Sequence, residues 1–312
     1  MRRKKPLRRR KSRFLALLSV LLIAVACRSW NFSGLTSPTP QNHLSGTLGS
    51  SDSSAVALYS PHAILVRLSD QKVLLETKSD QRIYPASLTK ILTAVVAIEQ
   101  IPDLSTQVRL PEEIFPDLRA ANASVAGFAP GERVAAIDLV YGTLLPSGAD
   151  AALGLALEVA GSESEFVTLM NQEANELGMD HSHFTNVTGL HDANHYTTVK
   201  DIAVLLEHAL QDETFREVFT SARYTLGVSR VHPQGLTFYS TMFAKMSTRE
   251  FAGGRILGGK TGYTEESGLC LASLAEKDGR EYILVTAGAP GDHRTEQYHI
   301  VDAFTVYSDC LK

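Results

Sequence analysis

Apolar and polar positions alternate with two different periods along the chain, and the change of period marks the elements. Short aliphatic runs at 62–68 and 72–77 flank the turn-forming Ser69-Asp70-Gln71, which predicts a β-hairpin. Pro85 then precedes residues 87–99, where Leu88, Ile91, Leu92, Val95 and Ile98 recur at spacings of three and four, predicting a helix laid on a core. Helical spacing continues through 135–145, 150–160, 164–177 and 199–210, punctuated by Gly161, Gly178 and Gly189. After Leu226 the signal returns to strands at 256–263, 268–275 and 281–288. Lys277-Asp278-Gly279-Arg280 forms the turn between the last two, and a final helix is predicted over 294–308. Strands at both ends with helices between them give an α+β pattern. Its economical arrangement is an antiparallel five-stranded sheet built from both chain ends, flanked by helices, with a helical insertion subdomain beside it.

The first 54 residues follow neither period. Residues 1–28 carry ten basic groups and no acid, and 14–26 are apolar apart from Ser19. A positive head before such a run is the layout of an export signal or N-terminal membrane anchor, with Cys27 a further candidate for lipid attachment. Residues 29–54, rich in Ser, Thr, Gly and Pro, read as a flexible linker. This leaves 55–312 as the folded domain. Removing the ten basic groups of the head from 30 leaves 20 against 34 acids, a net of −14, in a chain whose total is −4. An acidic body of this kind argues against nucleic acid as a partner. The three cysteines, Cys27, Cys270 and Cys310, imply no disulfide framework, and Cys270 lies in an apolar run that suits a small core residue.

Three short motifs carry candidate chemistry. In Ser87-Leu88-Thr89-Lys90, a helical turn puts the hydroxyl and the amine on one face, where a desolvated lysine can take the serine proton. The helix start also favours negative charge at Ser87. Lys260-Thr261-Gly262, after Gly258-Gly259 on a predicted strand, offers a positive charge and a hydroxyl to a carboxylate, and the glycines leave room for an extended substrate backbone. Ser147-Gly148-Ala149 lies in a turn between two helices, where its hydroxyl serves either as a proton relay or as a helix N-cap. Singly, each motif has a plain account: an N-terminal serine with a solvated lysine, a strand, a cap.

Taken in order, the motifs match the triple arrangement of penicillin-binding proteins and β-lactamases. With their flanks, Tyr84-Pro85-Ala86-Ser87-Leu88-Thr89-Lys90, Leu144-Leu145-Pro146-Ser147-Gly148, the segment 189–198 and Gly258-Gly259-Lys260-Thr261-Gly262-Tyr263, the chain resembles the low-molecular-weight serine D-alanyl-D-alanine carboxypeptidases over roughly residues 55–312. The resemblance implies a penicillin-recognising (β-lactamase/transpeptidase-like) fold. It implies Ser87 as the acylated nucleophile, Lys90 as general base and Ser147 in proton transfer. Lys260 and Thr261 would hold the substrate carboxylate, with Gly262 and Tyr263 on the same strand and the backbone N–H groups of Ser87 and Tyr263 as the oxyanion hole. It further implies peptidoglycan stem peptides ending in D-Ala-D-Ala as substrate, β-lactam antibiotics as acylating mimics, and no cofactor or metal. The expected location is the outer face of a bacterial cytoplasmic membrane or the cell wall, with the N-terminal segment as membrane attachment.

Two departures from the family pattern stand out. Ala149 occupies a place where the family usually has Asn, and Asp150, one residue on, is expected to point elsewhere. Only 50 residues follow Gly262, too few for the β-rich domain and amphipathic anchor of many relatives. Among rivals, a class A-like β-lactamase requires a Glu-x-x-Leu-Asn segment that Glu163, Glu165, Glu173 and Glu176 do not form. A zinc peptidase built on His181, His183, His191, Asp192 and His195 lacks a helical ligand pair. A catalytically weak penicillin-binding or cell-wall sensor module follows if Ala149 abolishes turnover.

Overall fold

The computed structural model describes residues 56–311. The expected export segment, the linker and Cys27 lie outside the described residues. In chain order the elements are β1 (His62–Arg67), β2 (Lys72–Thr77), a single 3-10 turn (Ala86–Leu88), α1 (Thr89–Gln100), β3 (Gln107–Arg109), α2 (Ile114–Ala120), β4 (Arg133–Ala135) and α3 (Ala136–Leu144). They continue as α4 (Ala149–Ala160), α5 (Glu163–Glu176), α6 (Val199–Ala209), α7 (Glu213–Thr220), β5 (Arg223–Leu226), β6 (Leu236–Tyr239), β7 (Glu250–Phe251), β8 (Gly254–Thr264), β9 (Gly268–Lys277), β10 (Arg280–Ala289) and α8 (Tyr298–Asp309).

The main sheet is antiparallel with order β2-β1-β10-β9-β8-β7, so the two chain ends meet at the β1–β10 pairing, where Leu65 faces Leu284. The five expected strands are present, and β7 adds a sixth of two residues, too short to show any alternation in sequence. Period-two alternation sorts the strands between two cores. Leu65, Leu271 and Leu284 pack with Ile300, Ala303, Val306 and Tyr307 of α8 on one face. Ile64, Ala272, Ile283 and Val285 join the large helical core on the other.

Helix α1 is the axis of that second core. Its contacts reach α3, α4, α5, α6 and α7, and every residue from Thr89 to Ala97 is buried. The predicted one-faced helix is therefore buried on all sides, because Thr89, Thr93 and Ala97, on the face away from Leu88, Ile91, Leu92 and Val95, are buried as well. Helix α8 starts four residues later than the pattern suggests. Asp292 holds the preceding turn by accepting from the N–H groups of Arg294 and Thr295 on its carboxylate, and from Gln297 Nε2 on its carbonyl. Cys270 is a buried core residue, and burial pushes its thiol up to about 11.

Two features set up the site. Strand β7 pairs only with Gly254 and Arg255, so among the described residues no strand covers the outer edge of β8 from Gly258 to Thr264. The small ribbons β3–β4 and β5–β6, absent from the sequence reading because strands of three and four residues are too short to register a period, brace the helical side.

Candidate active site

Ser87 sits in the 3-10 turn rather than inside α1, and Lys90 lies one turn further, in the first turn of α1. The Lys90 amine donates to Ser87 Oγ at 3.1 Å and to the Thr188 carbonyl at 2.5 Å. Asn186 shapes the loop that presents that carbonyl. Its Oδ1 accepts from the N–H groups of Thr188 and Gly189, and its Nδ2 donates to the Leu190 carbonyl. Lys90 is 2% exposed, and burial, opposed by the charge of Asp150, brings its amine down to about 7. A neutral amine against a serine hydroxyl is an available base near neutral pH.

Opposite, Lys260 on β8 is fully buried; its amine donates to Ser147 Oγ at 2.9 Å and to the Thr261 carbonyl at 2.8 Å. Burial, reinforced by the charge of Lys90, lowers its pKa well below the usual lysine value. Ser147 stands at φ +65, and α4 is capped by Gly148 without a side-chain bond, so Ser147 is not the N-cap. A left-handed serine is a strained choice that persists only where the surroundings demand it. Here it turns the hydroxyl toward Lys260. Gly148 has no room for a side chain: a Cβ there would lie 2.6 Å from that of Ala126.

Strand β8 passes directly against the turn that carries Ser87, since a Cβ on Gly262 would come within 3.0 Å of the Pro85 carbonyl and 3.1 Å of Ser87 N. Thr261 Oγ1 lies 2.7 Å from Thr241 Oγ1. The Tyr263 ring stands edge-on to His293. Gly258 and Gly259, by contrast, do not make room for substrate. A Cβ on the first would strike the Phe219 carbonyl at 2.4 Å and one on the second the Met242 sulfur at 2.4 Å, so both serve internal packing.

Two cavities meet at Ser87 and Tyr263. One, of about 350 Å³, is also lined by Ser147, Thr261 and Gly262. The other, of about 560 Å³, is also lined by Lys90, Ala149 and Thr188. The seven residues singled out from sequence thus lie around one cleft, Lys260 beneath its wall. Asp150 does point elsewhere. It accepts from the backbone N–H groups of Ala126, Gly127, Phe128 and Ala151, and so anchors the loop that forms the cleft's rim. The loop histidines are dispersed: His183 contacts the Asn194 carbonyl, His191 lies 3.8 Å from Glu266, and His195 is buried beside Thr89.

A family model described as D-alanyl-D-alanine carboxypeptidase, Peptidase_S11, matches residues 50–291. The chain belongs to this family. Its relatives include D-alanyl-D-alanine carboxypeptidase DacF of Bacillus subtilis, 30% identical over 78% of this chain and 62% of that protein. DacC of Escherichia coli is also 30% identical, over 73% and 56% respectively. The chain therefore spans less than two thirds of the length of these two relatives. It is also similar to the solved Streptomyces K15 DD-transpeptidase, with 26% identity, a TM-score of 0.71, and coverage of 80% of this chain and 96% of that one.

For a D-alanyl-D-alanine carboxypeptidase family member, the residues that sequence reading passed over are those packed behind the polar side chains of the cleft. Thr188 and Asn186 lie in a loop marked only by Gly189. Asp150 was set aside for pointing away from the lysine, and Thr241 falls outside every motif.

Proposed function

We propose that the chain is a serine D-alanyl-D-alanine carboxypeptidase acting on peptidoglycan stem peptides. The observation that carries this reading is the facing of two amine–hydroxyl pairs, Lys90 with Ser87 and Lys260 with Ser147, across a cleft bordered by an open strand edge. The terminal carboxylate of the substrate would lie at Thr261 above Lys260, and its arrival favours the protonated form of that buried amine. This sets the scissile bond over Ser87, with the leaving D-Ala in the cavity shared by Ser147 and Thr261 and the stem in the one beside Lys90.

Lys90, neutral, accepts the Ser87 proton as Oγ adds to the carbonyl carbon, and the oxyanion meets the N–H groups of Ser87 and Tyr263. The Ser147 hydroxyl, held by Lys260, passes a proton to the departing amine as the C–N bond breaks and takes up in its place the proton that Lys90 received from Ser87, which returns Lys90 to its neutral form. Water, deprotonated by Lys90, then opens the acyl ester and frees the shortened stem. β-Lactams acylate Ser87 by the same first step. Among the described residues no helix is long and apolar enough to cross a membrane. Placement in the cell envelope is supported by the family, and export with attachment through residues 1–28 by the basic head and apolar run.

The test is paired: labelling by a fluorescent penicillin, and release of D-Ala from a stem pentapeptide. Both are expected in the wild type and neither in Ser87→Ala. Labelling without D-Ala release marks a sensor module instead. Transfer of the acyl group to an added amine in preference to water would align the chain with the K15 enzyme named as a transpeptidase.

A further inference from the structure

We propose that His195 is a positioning residue for the nucleophile's backbone N–H, acting through the Thr89 hydroxyl and the Ala86 carbonyl. The inference rests on the reading above, in which Ser87 is acylated and its own N–H helps hold the oxyanion.

The direction of each hydrogen bond in this chain is determined. The Thr185 N–H donates to His195 Nδ1 at 3.1 Å, so that nitrogen carries the lone pair and the ring proton is on Nε2. Nε2 lies 2.8 Å from Thr89 Oγ1 and donates to it, and the Thr89 hydroxyl donates in turn to the Ala86 carbonyl at 2.8 Å. The ring is 2% exposed and borders neither cavity at Ser87, so it acts only through Thr89. The backbone N–H of His195 is tied to the Asp192 carbonyl, and the ring packs in a T-shaped arrangement with Phe184. Burial lowers its pKa to about 4, which keeps one tautomer across the neutral range.

The Ala86 carbonyl matters because it belongs to the same peptide unit as the Ser87 N–H. In a planar trans peptide the two point in opposite directions, so anchoring the oxygen aims the hydrogen. Ser87 N faces β8 at Gly262, the side on which the oxyanion would form. The turn has a reason to need anchoring, because Ala86 stands at φ +46, a left-handed conformation that a residue with a Cβ leaves unless its neighbours hold it. The Thr89 N–H also reaches the Ala86 carbonyl within the turn, and the Gly189 backbone closes over it so tightly that a Cβ there would lie 1.8 Å from the oxygen. Among these contacts the hydroxyl is the one that continues through a further side-chain hydrogen bond, to an imidazole 106 residues away in sequence.

The experiment measures acylation by a fluorescent penicillin at rising concentrations, separating the rate constant of the chemical step from the half-saturating concentration. His195→Gln keeps an N–H donor at the reach of Nε2, whereas His195→Asn keeps only the acceptor for Thr185. The expected result is that Asn slows the chemical step on the order of 100-fold, the scale of losing one oxyanion donor, and that Gln restores most of it. Half-saturation and melting temperature should differ little between the two. Thr89→Val cuts the chain at the next link with an isosteric side chain and should match the Asn variant, which keeps the test decisive if that variant does not fold. Equal rates in the Asn and Gln variants, or losses that follow melting temperature, overturn the role of His195. Absence of labelling in the wild type, or labelling of Ser87→Ala, overturns the underlying reading instead.

Discussion

The Lys260 amine is 2.9 Å from the Ser147 hydroxyl, a contact between the edge of the sheet and the turn before α4 that spans 113 residues of sequence. It joins the two walls of the cleft, and the same amine also bonds the carbonyl of Thr261, where the proposed reading puts the substrate carboxylate. Replacing Lys260 with Met removes the charge while filling its volume. The second-order rate on a D-Ala-D-Ala peptide should then fall about 10- to 150-fold, as losing a charge-assisted hydrogen bond worth about 1.5–3 kcal/mol implies. Amidating the peptide's terminal carboxylate should lower the wild-type rate and leave the variant's rate nearly unchanged. Equal sensitivity in both enzymes would place the carboxylate elsewhere.

Lys90, brought down to about 7 by burial, predicts a pH profile. On the proposed reading the base form is the active one, so acylation by penicillin should rise about tenfold per unit at acid pH and level off above about pH 7. Stopped-flow acylation between pH 5 and 9 reads this directly. A limb that persisted up to pH 9 would mean that the amine retains an ordinary lysine pKa.

Asp150 links stability to that limb. Its carboxylate satisfies three backbone N–H groups of the 126–128 loop and that of Ala151 in α4, and its charge is what holds the Lys90 pKa up against burial. Asp150→Ala strands those donors, and a loss of about 3 kcal/mol or more in denaturant unfolding is expected. Asp150→Asn keeps one acceptor and should lose less. In both variants the acid limb should move to lower pH, since the favourable charge is gone. An unmoved limb would show that Asp150 acts on the loop alone.

The sheet and the residues that gather at the cleft were legible in sequence for different reasons. Strands β1, β2 and β8 to β10 are long enough for alternation to register, and the motifs on the 3-10 turn and β8 have fixed chemistry. What stayed hidden acts through backbone groups. The Thr188 carbonyl holds Lys90, and any residue but proline bent the same way could offer it; the bend is set by Asn186, whose role depends on its neighbours in space. The glycines at 258 and 259 were misread because sequence cannot tell a glycine cleared for substrate from one pressed against Phe219 or Met242. Ala149 was read as a deficit, yet the lysine already has the Thr188 carbonyl as partner. Ala149→Asn should therefore leave the pH limb in place and lower the half-saturating substrate concentration, through the amide it adds to the cavity beside Lys90. A shifted limb would mean that the new amide acts on the lysine.

Acid stability should depend on two histidines that are buried uncharged. Burial lowers both His195 and His299 to about 4, and His299 Nδ1 is enclosed with no hydrogen-bond partner. Unfolding returns each ring to an ordinary value near 6.5, so between about pH 4 and 6.5 the unfolded chain binds more protons than the folded one. The share of stability due to the two rings is therefore full above that window and falls as pH drops through it, by about 3 kcal/mol per ring at its lower end. Lys90 adds no slope there, being protonated in both states below about pH 6. Urea unfolding at pH 6.5, 5.5 and 4.5 should show this decline, and His299→Gln, which cannot ionise, should remove about half of it. A decline of equal steepness in that variant would show that His299 is not a source of the acid sensitivity.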